Sequence, residues 1–169
     1  MKIPGFDPLG AIEQLASHEV EFVLIGGMAL RALGSNRVTN DTDVCYERTP
    51  ENLRRLASAL TAMNARRITD LHPEGVEADI TVTYLEGEDM FAFMTDFGQL
   101  DCLANPAGID TFADLKADSV PTKLGDVTAP LASPKALRRM KAARGWPVDQ
   151  MDLLVLDELE GQDPTPDPD

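Results

Sequence analysis

A short apolar run that ends in a pair of glycines, with an aspartate pair further on, constrains this chain more than any other feature. Glu21–Ile25 has the length and composition of a buried strand, and the two glycines that follow it suit a tight turn. Residues 28–33 are rich in Ala and Leu and end at Gly34, which predicts a short helix with a glycine stop. Thr42–Tyr46 is then a second strand. This order of elements predicts part of an α/β sheet.

The rest of the chain continues the mixture of helices and strands. Apolar spacing and helix start signals predict further helices over residues 8–18, from Thr49 to about Met63, and over 111–117, 134–143 and 147–159. Strands are predicted over Ala78–Leu85, over 91–95 and 99–104 as a hairpin, and within 120–132. Because helices gather at the end, we expect a mixed β-sheet flanked by helices with a small helical C-terminal part.

The aspartate pair carries the strongest chemical signal. Asp41 and Asp43 are one residue apart on a predicted strand, so their side chains point to the same face. Two carboxylates held this close repel each other unless a cation lies between them, and Mg²⁺ prefers such oxygen ligands. Gly26 and Gly27 precede the pair by thirteen residues and open a helix, where backbone N–H groups suit phosphate. Asn40–Asp43 could instead be a polar turn that caps a strand.

A third acid could complete the site. Asp101 lies within an apolar strand, where an unpaired charge is costly. In two-metal chemistry such carboxylates hold the ions that activate an attacking hydroxyl and stabilise a leaving pyrophosphate. Asp101 could also accept the proton of that hydroxyl if it lies near the pair.

Composition narrows the classes of protein. The net charge is −14, and the acids within residues 157–169 account for −6 of it, so the remaining chain is still acidic. This disfavours a generally basic nucleic-acid surface. No apolar run is long enough to cross a membrane, and Cys45 and Cys102 do not form a disulfide framework, so we expect a cytoplasmic protein. Residues 1–160 should form one domain, and the Pro- and Asp-rich segment 161–169 should be a disordered tail.

Five stretches and one further aspartate match a known family as a set. They are Phe22–Leu30, Arg37–Val44, Gly98–Leu103, Gly108–Leu115 and Lys141–Asp149, followed by Asp152. In this order they resemble the AbiEii-type nucleotidyltransferases, which belong to the DNA polymerase β-like superfamily and serve as toxins of bacterial toxin–antitoxin systems. The resemblance covers about residues 20–160 and implies a nucleotidyltransferase fold.

The resemblance also implies roles for individual residues. Asp41 and Asp43 would bind Mg²⁺, with Asp101 as the third acid, and Gly26 and Gly27 would hold the triphosphate of an NTP. Arg37 would contact phosphate or orient the site, and Lys141 would neutralise triphosphate charge. Asp149 or Asp152 would then hold Lys141 or Arg37 in place.

Two departures from the family pattern carry expectations of their own. Thr42 stands where the family usually has an aliphatic residue, which predicts a less buried strand. Residues 143–149 differ from the usual Gly-Arg-Pro-Lys-Asp and lack a basic residue that the family carries there. They also place Trp146 near the site. Trp146 could be a core residue, and the sequence leaves its role open.

Three functions are consistent with these features. The resemblance favours transfer of a nucleoside monophosphate to RNA, notably the 3′ end of tRNA, by a toxin that a cognate antitoxin restrains. The basic residues between Lys135 and Arg144 could supply a local docking site for it. The acceptor could instead be a small cationic molecule such as an aminoglycoside, or a protein side chain. The third alternative is a catalytically silent relative that only binds.

Overall fold

The helices follow local signals in the sequence. This computed structural model describes residues 5–161. Several helices begin at a polar side chain that accepts a hydrogen bond from a backbone N–H of the first turn; these side chains include those of Asp7, Thr49, Thr111 and Ser133. Proline occupies the first turn of three of these helices, where its missing N–H costs nothing. The helices are α1 Pro8–Ser17, α2 Gly26–Ala32, α3 Pro50–Ala62, α4 Val82–Glu86, α5 Phe112–Asp118, α6 Pro134–Arg144 and α7 Pro147–Gly161.

Eight strands form one mixed sheet within the described residues. They are β1 Phe22–Ile25, β2 Asp41–Tyr46, β3 Arg66–Thr69, β4 His72–Val76, β5 Met90–Thr95, β6 Gly98–Leu103, β7 Val120–Leu124 and β8 Val127–Leu131. Their order across the sheet is β4-β3-β5-β6-β2-β1-β8-β7. β2 pairs in parallel with β6 and antiparallel with β1, so the two central strands that carry the acids are neighbours. The predicted α/β class, mixed sheet and helical C-terminal part are confirmed.

The core lies around the middle of the sheet. Leu24 of β1, Val44 and Tyr46 of β2, and Leu100 of β6 are completely buried. Helices contribute further apolar side chains, including Leu15 of α1. The central strands are therefore held on a packed apolar base, which fixes the polar side chains that point away from it.

Two expectations about local structure are wrong, and one hairpin was not predicted. Residues 78–85 do not form a strand, because the Thr81 hydroxyl accepts from the Tyr84 N–H at 3.2 Å and starts helix α4 instead. The sequence patterns also do not predict the hairpin of β3 and β4, since its residues are mostly charged or turn-forming. Thr42 is 1% exposed, so β2 is fully buried on that face despite the hydroxyl.

Two further predictions concern the C-terminal tail and membrane spans. Helix α7 continues to Gly161, and the rest of the predicted tail, residues 162–169, lies outside the described residues. Within residues 5–161, no helix combines the length and the apolar composition that a membrane span requires.

Candidate active site

Sheet pairing brings the three predicted acids together. Asp43 of β2 lies directly opposite Asp101 of β6 in the parallel register, and Asp41 is two residues before Asp43 on the same face. One carboxylate oxygen from each of Asp41, Asp43 and Asp101 lies within 4.8 Å of the others. We call these three residues the acidic cluster.

Electrostatics show that the acidic cluster is unfavourable when it stands alone. The pKa of Asp43 is raised to about 7, mainly by burial and further by the neighbouring charges of Asp41 and Asp101. Burial also raises the pKa of Asp101, against a hydrogen bond from Gln99 that lowers it. A divalent cation between the carboxylates would remove this repulsion, so the donor set and its spacing fit such an ion.

Polar neighbours orient the carboxylates. The Thr39 hydroxyl donates to Asp41 Oδ1 at 3.0 Å, and Gln99 Nε2 donates to Asp101 Oδ1 at 3.0 Å. The sequence patterns single out neither Thr39 nor Gln99. Gln99 is detectable in principle, because it precedes Asp101 by two residues and shares its face of the strand.

The glycine pair makes room for the acidic cluster. Gly26 has φ +68°, and a Cβ added there would lie 2.2 Å from Asp43 Oδ2. A Cβ at Gly27 would lie 2.8 Å from the Thr39 hydroxyl, which itself contacts Asp41. The two glycines are therefore required by the close approach of the backbone to the carboxylates.

The Gly26→Ala variant is expected to lower the free energy of unfolding by at least about 1–2 kcal/mol. The positive φ alone accounts for that cost, and displacement of the Asp43 carboxylate adds to it. Urea denaturation measures the effect. Gly5→Ala is the matched control, because a Cβ at Gly5 meets nothing within 4 Å. Equal unfolding midpoints for the two variants would contradict the prediction.

A second set of charges lies on the two C-terminal helices. Lys141 Nζ of α6 forms an ion pair with Asp152 Oδ2 at 2.8 Å and lies 3.5 Å from Asp149 Oδ1. Arg37 also donates to Asp152, through a short contact. Both aspartates are completely buried, and Lys141 is nearly so. The structure thus brings together Arg37, Lys141, Asp149 and Asp152, as the resemblance implied for their positions; their roles in binding stay predictions.

Arg144 belongs to the same network, although the sequence singles it out only as one of several basic residues. Its Nε donates to Asp149 Oδ2 at 2.8 Å, and its Nη2 donates to Asp149 Oδ1 at 2.6 Å. This bidentate pair lowers the pKa of Asp149. The positive charges of Lys141 and Arg144 also act to lower the pKa of Asp43, so both are within electrostatic range of the acidic cluster.

Other basic residues on α6 are paired inside the molecule. Arg138 donates to Asp157 at 2.7 Å and lies 3.0 Å from Glu160, both on α7, and Arg139 lies 3.8 Å from Asp110. The predicted cationic docking face is thus largely neutralised at these residues by the chain's own acids.

Comparisons with known proteins identify the fold. No family model matches the chain, and no curated protein matches it. Several solved structures do match over most of their own length and of this chain. The lincosamide antibiotic adenylyltransferase LnuA, bound to lincomycin, is 15% identical over 89% of this chain and 94% of its own, with a TM-score of 0.61.

Two further solved structures among the matches have the same fold. ANT(2″)-Ia in complex with adenylyl-2″-tobramycin is 14% identical over 89% of each chain, with a TM-score of 0.55. A Thermotoga maritima protein assigned as a nucleotidyltransferase is 11% identical over 91% of each chain, also at 0.55. At these identities the likeness shows the fold, which is that of the nucleotidyltransferases. The AbiEii family itself stays a prediction from the sequence.

Proposed function

We propose that this protein is a Mg²⁺-dependent nucleotidyltransferase that moves a nucleoside monophosphate from an NTP to an acceptor hydroxyl and releases pyrophosphate. The observation that carries the proposal is the acidic cluster, in which Asp43 lies in direct strand register with Asp101, beside Gly26 at the start of α2. Its place in a nucleotidyltransferase fold supports the same reaction.

The residues divide the chemistry among them. Asp41, Asp43 and Asp101 would hold the cation, which when bound supplies charge stabilisation for the phosphoryl oxygens. The acceptor oxygen attacks the α-phosphorus, the bond from that phosphorus to the bridging oxygen breaks, and pyrophosphate leaves. Asp101 would accept the hydroxyl proton, because its carboxylate lies within the acidic cluster where the hydroxyl would be activated.

The cationic residues would bind the triphosphate. Lys141 is held by Asp152, so its ammonium group is fixed before the nucleotide arrives. Arg37 is held by the same carboxylate, and it lies in the segment that leads into β2 and its first acid, Asp41. Gly26 and Gly27 would let the backbone approach the phosphates closely.

For the acceptor, we infer a small molecule that carries a hydroxyl group. LnuA is named for a lincosamide, and ANT(2″)-Ia is bound to an adenylylated aminoglycoside. The net charge of the chain is −14, so its electrostatic field attracts a cationic acceptor and repels RNA. The pairing of Arg138 and Arg139 with acids also weakens the case for RNA docking at α6.

An RNA acceptor is the second candidate. It rests on the resemblance to AbiEii-type toxins, which also implies the 3′ end of tRNA and a cognate antitoxin as partners. Arrest of growth on expression would favour this toxin, whereas antibiotic resistance without arrest would favour the small-molecule acceptor.

Labelled NTPs test the proposal directly. The purified protein is incubated with Mg²⁺, each labelled NTP in turn, and either an aminoglycoside, a lincosamide or total tRNA. We expect label on an antibiotic and none on tRNA, with transfer lost in Asp41→Ala and kept in Asp70→Asn, which changes an exposed acid in the β3–β4 turn. Label on tRNA would establish the second candidate. No Mg²⁺-dependent binding of any NTP would refute the proposal and favour a silent relative.

A further inference from the structure

The turn between α6 and α7 presents an aromatic ring to solvent. Trp146 is 58% exposed, so it is not a core residue. It is also the chain's single tryptophan. A large ring left this open between two helices calls for a physical explanation, because burial would ordinarily stabilise it.

The ring is held in place although it is exposed. The backbone N–H of Trp146 donates to Asp149 Oδ2 at 3.0 Å, and Gly145 before it adopts φ +68°, which ends α6. The Arg144 guanidinium lies 4.4 Å from the centre of the indole ring, and two hydrogen bonds to Asp149 fix that guanidinium. One buried carboxylate therefore anchors both the backbone of Trp146 and the cation stacked on its ring.

The same anchor connects the ring to the cations assigned to the triphosphate. Asp149 also lies 3.5 Å from Lys141 Nζ. Lys141 shares the Asp152 carboxylate with Arg37. Arg37 precedes Asp41, the first acid of the cluster, by four residues. The ring thus lies at one end of a chain of ion pairs that leads through Lys141 to the segment before the acidic cluster. A nucleotide whose phosphates are bound at Lys141 would have its base free to reach the flat surface of the Trp146 ring.

We propose that Trp146 is the surface on which the base of the bound NTP stacks, with Arg144 holding the ring from its other side. This inference rests on the proposed function, and it names how the nucleotide is recognised. Every base has a π face, so stacking contributes affinity without hydrogen-bond selection among bases. The protein should consequently accept ATP and GTP with similar affinity, since purines offer similar stacking area.

A protein partner is the competing explanation for an exposed tryptophan. Met151 and Leu154 of α7 are also exposed, three residues apart on one side of the helix. The nucleotide is favoured because Asp149 ties Trp146 to Lys141 as well as to Arg144, and a nucleotide brings phosphates for a cation to bind, whereas an apolar partner surface brings none.

Calorimetric titration of the full chain tests the inference. Wild type, Trp146→Leu and Trp146→Phe are each titrated with ATP, and separately with tripolyphosphate, in Mg²⁺ and without acceptor. We expect Trp146→Leu to bind ATP about tenfold or more weakly, to bind tripolyphosphate as wild type does, and Trp146→Phe to keep most of the ATP affinity. In wild type, ATP but not tripolyphosphate should change the fluorescence of Trp146.

The outcomes separate the two proposals. If tripolyphosphate binds in a way that Asp41→Ala abolishes, but Trp146→Leu leaves ATP affinity unchanged, the stacking inference is wrong and the proposed function stands. Equal losses for ATP and tripolyphosphate would also overturn stacking, because they would indicate a general disturbance of the turn. If neither ligand binds wild type, the proposed function fails and the inference fails with it.

Discussion

The Asp43→Asn variant is expected to lose nucleotidyl transfer, with kcat lower by about 10³-fold or more. Asp43 lies at the centre of the acidic cluster, and loss of one charged ligand removes several kcal/mol of charge stabilisation in the transition state. Initial rates with labelled NTP and saturating acceptor measure the effect. Asp70→Asn serves as the control, and a kcat of Asp43→Asn within about tenfold of wild type would contradict the assignment.

The same variant should be more stable than wild type without metal, by an amount that grows as pH rises from about 4 to 7. In the folded protein the pKa of Asp43 rises from 3.8 to about 7, so the folded state holds a proton that the unfolded chain has released. The contribution of Asp43 to stability therefore falls as pH rises from about 4 through 7. Urea unfolding in a chelator at pH 5 and pH 8 measures this, and Asp43→Asn should show a smaller decrease than wild type. Added Mg²⁺ should stabilise wild type more than the variant.

The Lys141→Met variant is expected to lower the free energy of unfolding by about 3 kcal/mol. The substitution leaves Asp152 and Asp149, both completely buried, with one cation fewer. Urea denaturation measures the loss. Lys135→Met, at an exposed position on the same helix, should stay within about 0.5 kcal/mol of wild type.

A double variant shows whether unpaired charge causes that loss. Adding Asp152→Asn to Lys141→Met removes the carboxylate that the lysine neutralised, so part of the stability should return. If the double variant is less stable than Lys141→Met by the full cost of Asp152→Asn alone, the two residues are not coupled and the explanation is wrong. Lys141→Met should also weaken binding of tripolyphosphate.

The parts of the site that depend on local periodicity can be predicted from the sequence. Asp41 and Asp43 share a face because a strand has a period of two, and this follows from their spacing alone. Asp101 is recognisable as an acid in an apolar strand, but its place opposite Asp43 depends on the parallel pairing of β2 with β6. No local pattern specifies that register, so only the structure could establish it.

The residues that sequence reasoning misses depend on tertiary contacts. In the sequence, Arg144 resembles the other basic residues on its helix. Its role depends on the turn at Gly145, which brings Asp149 back against it. The size of Trp146 favours burial in the core, yet the anchor at Asp149 holds it outside. The apolar alternation in Ala78–Leu85 predicts a strand, but it is a weaker signal than the cap at Thr81.

The pairing of β2 with β6 also has a consequence for folding. Thr42, Val44 and Tyr46 face the core from the strand that carries Asp41 and Asp43 on its other side. A slip of β2 by one residue would turn two carboxylates into the apolar interior and expose three core side chains. Misregistered chains are therefore strongly disfavoured, so the acids that form the candidate site also select the correct strand pairing while the chain folds.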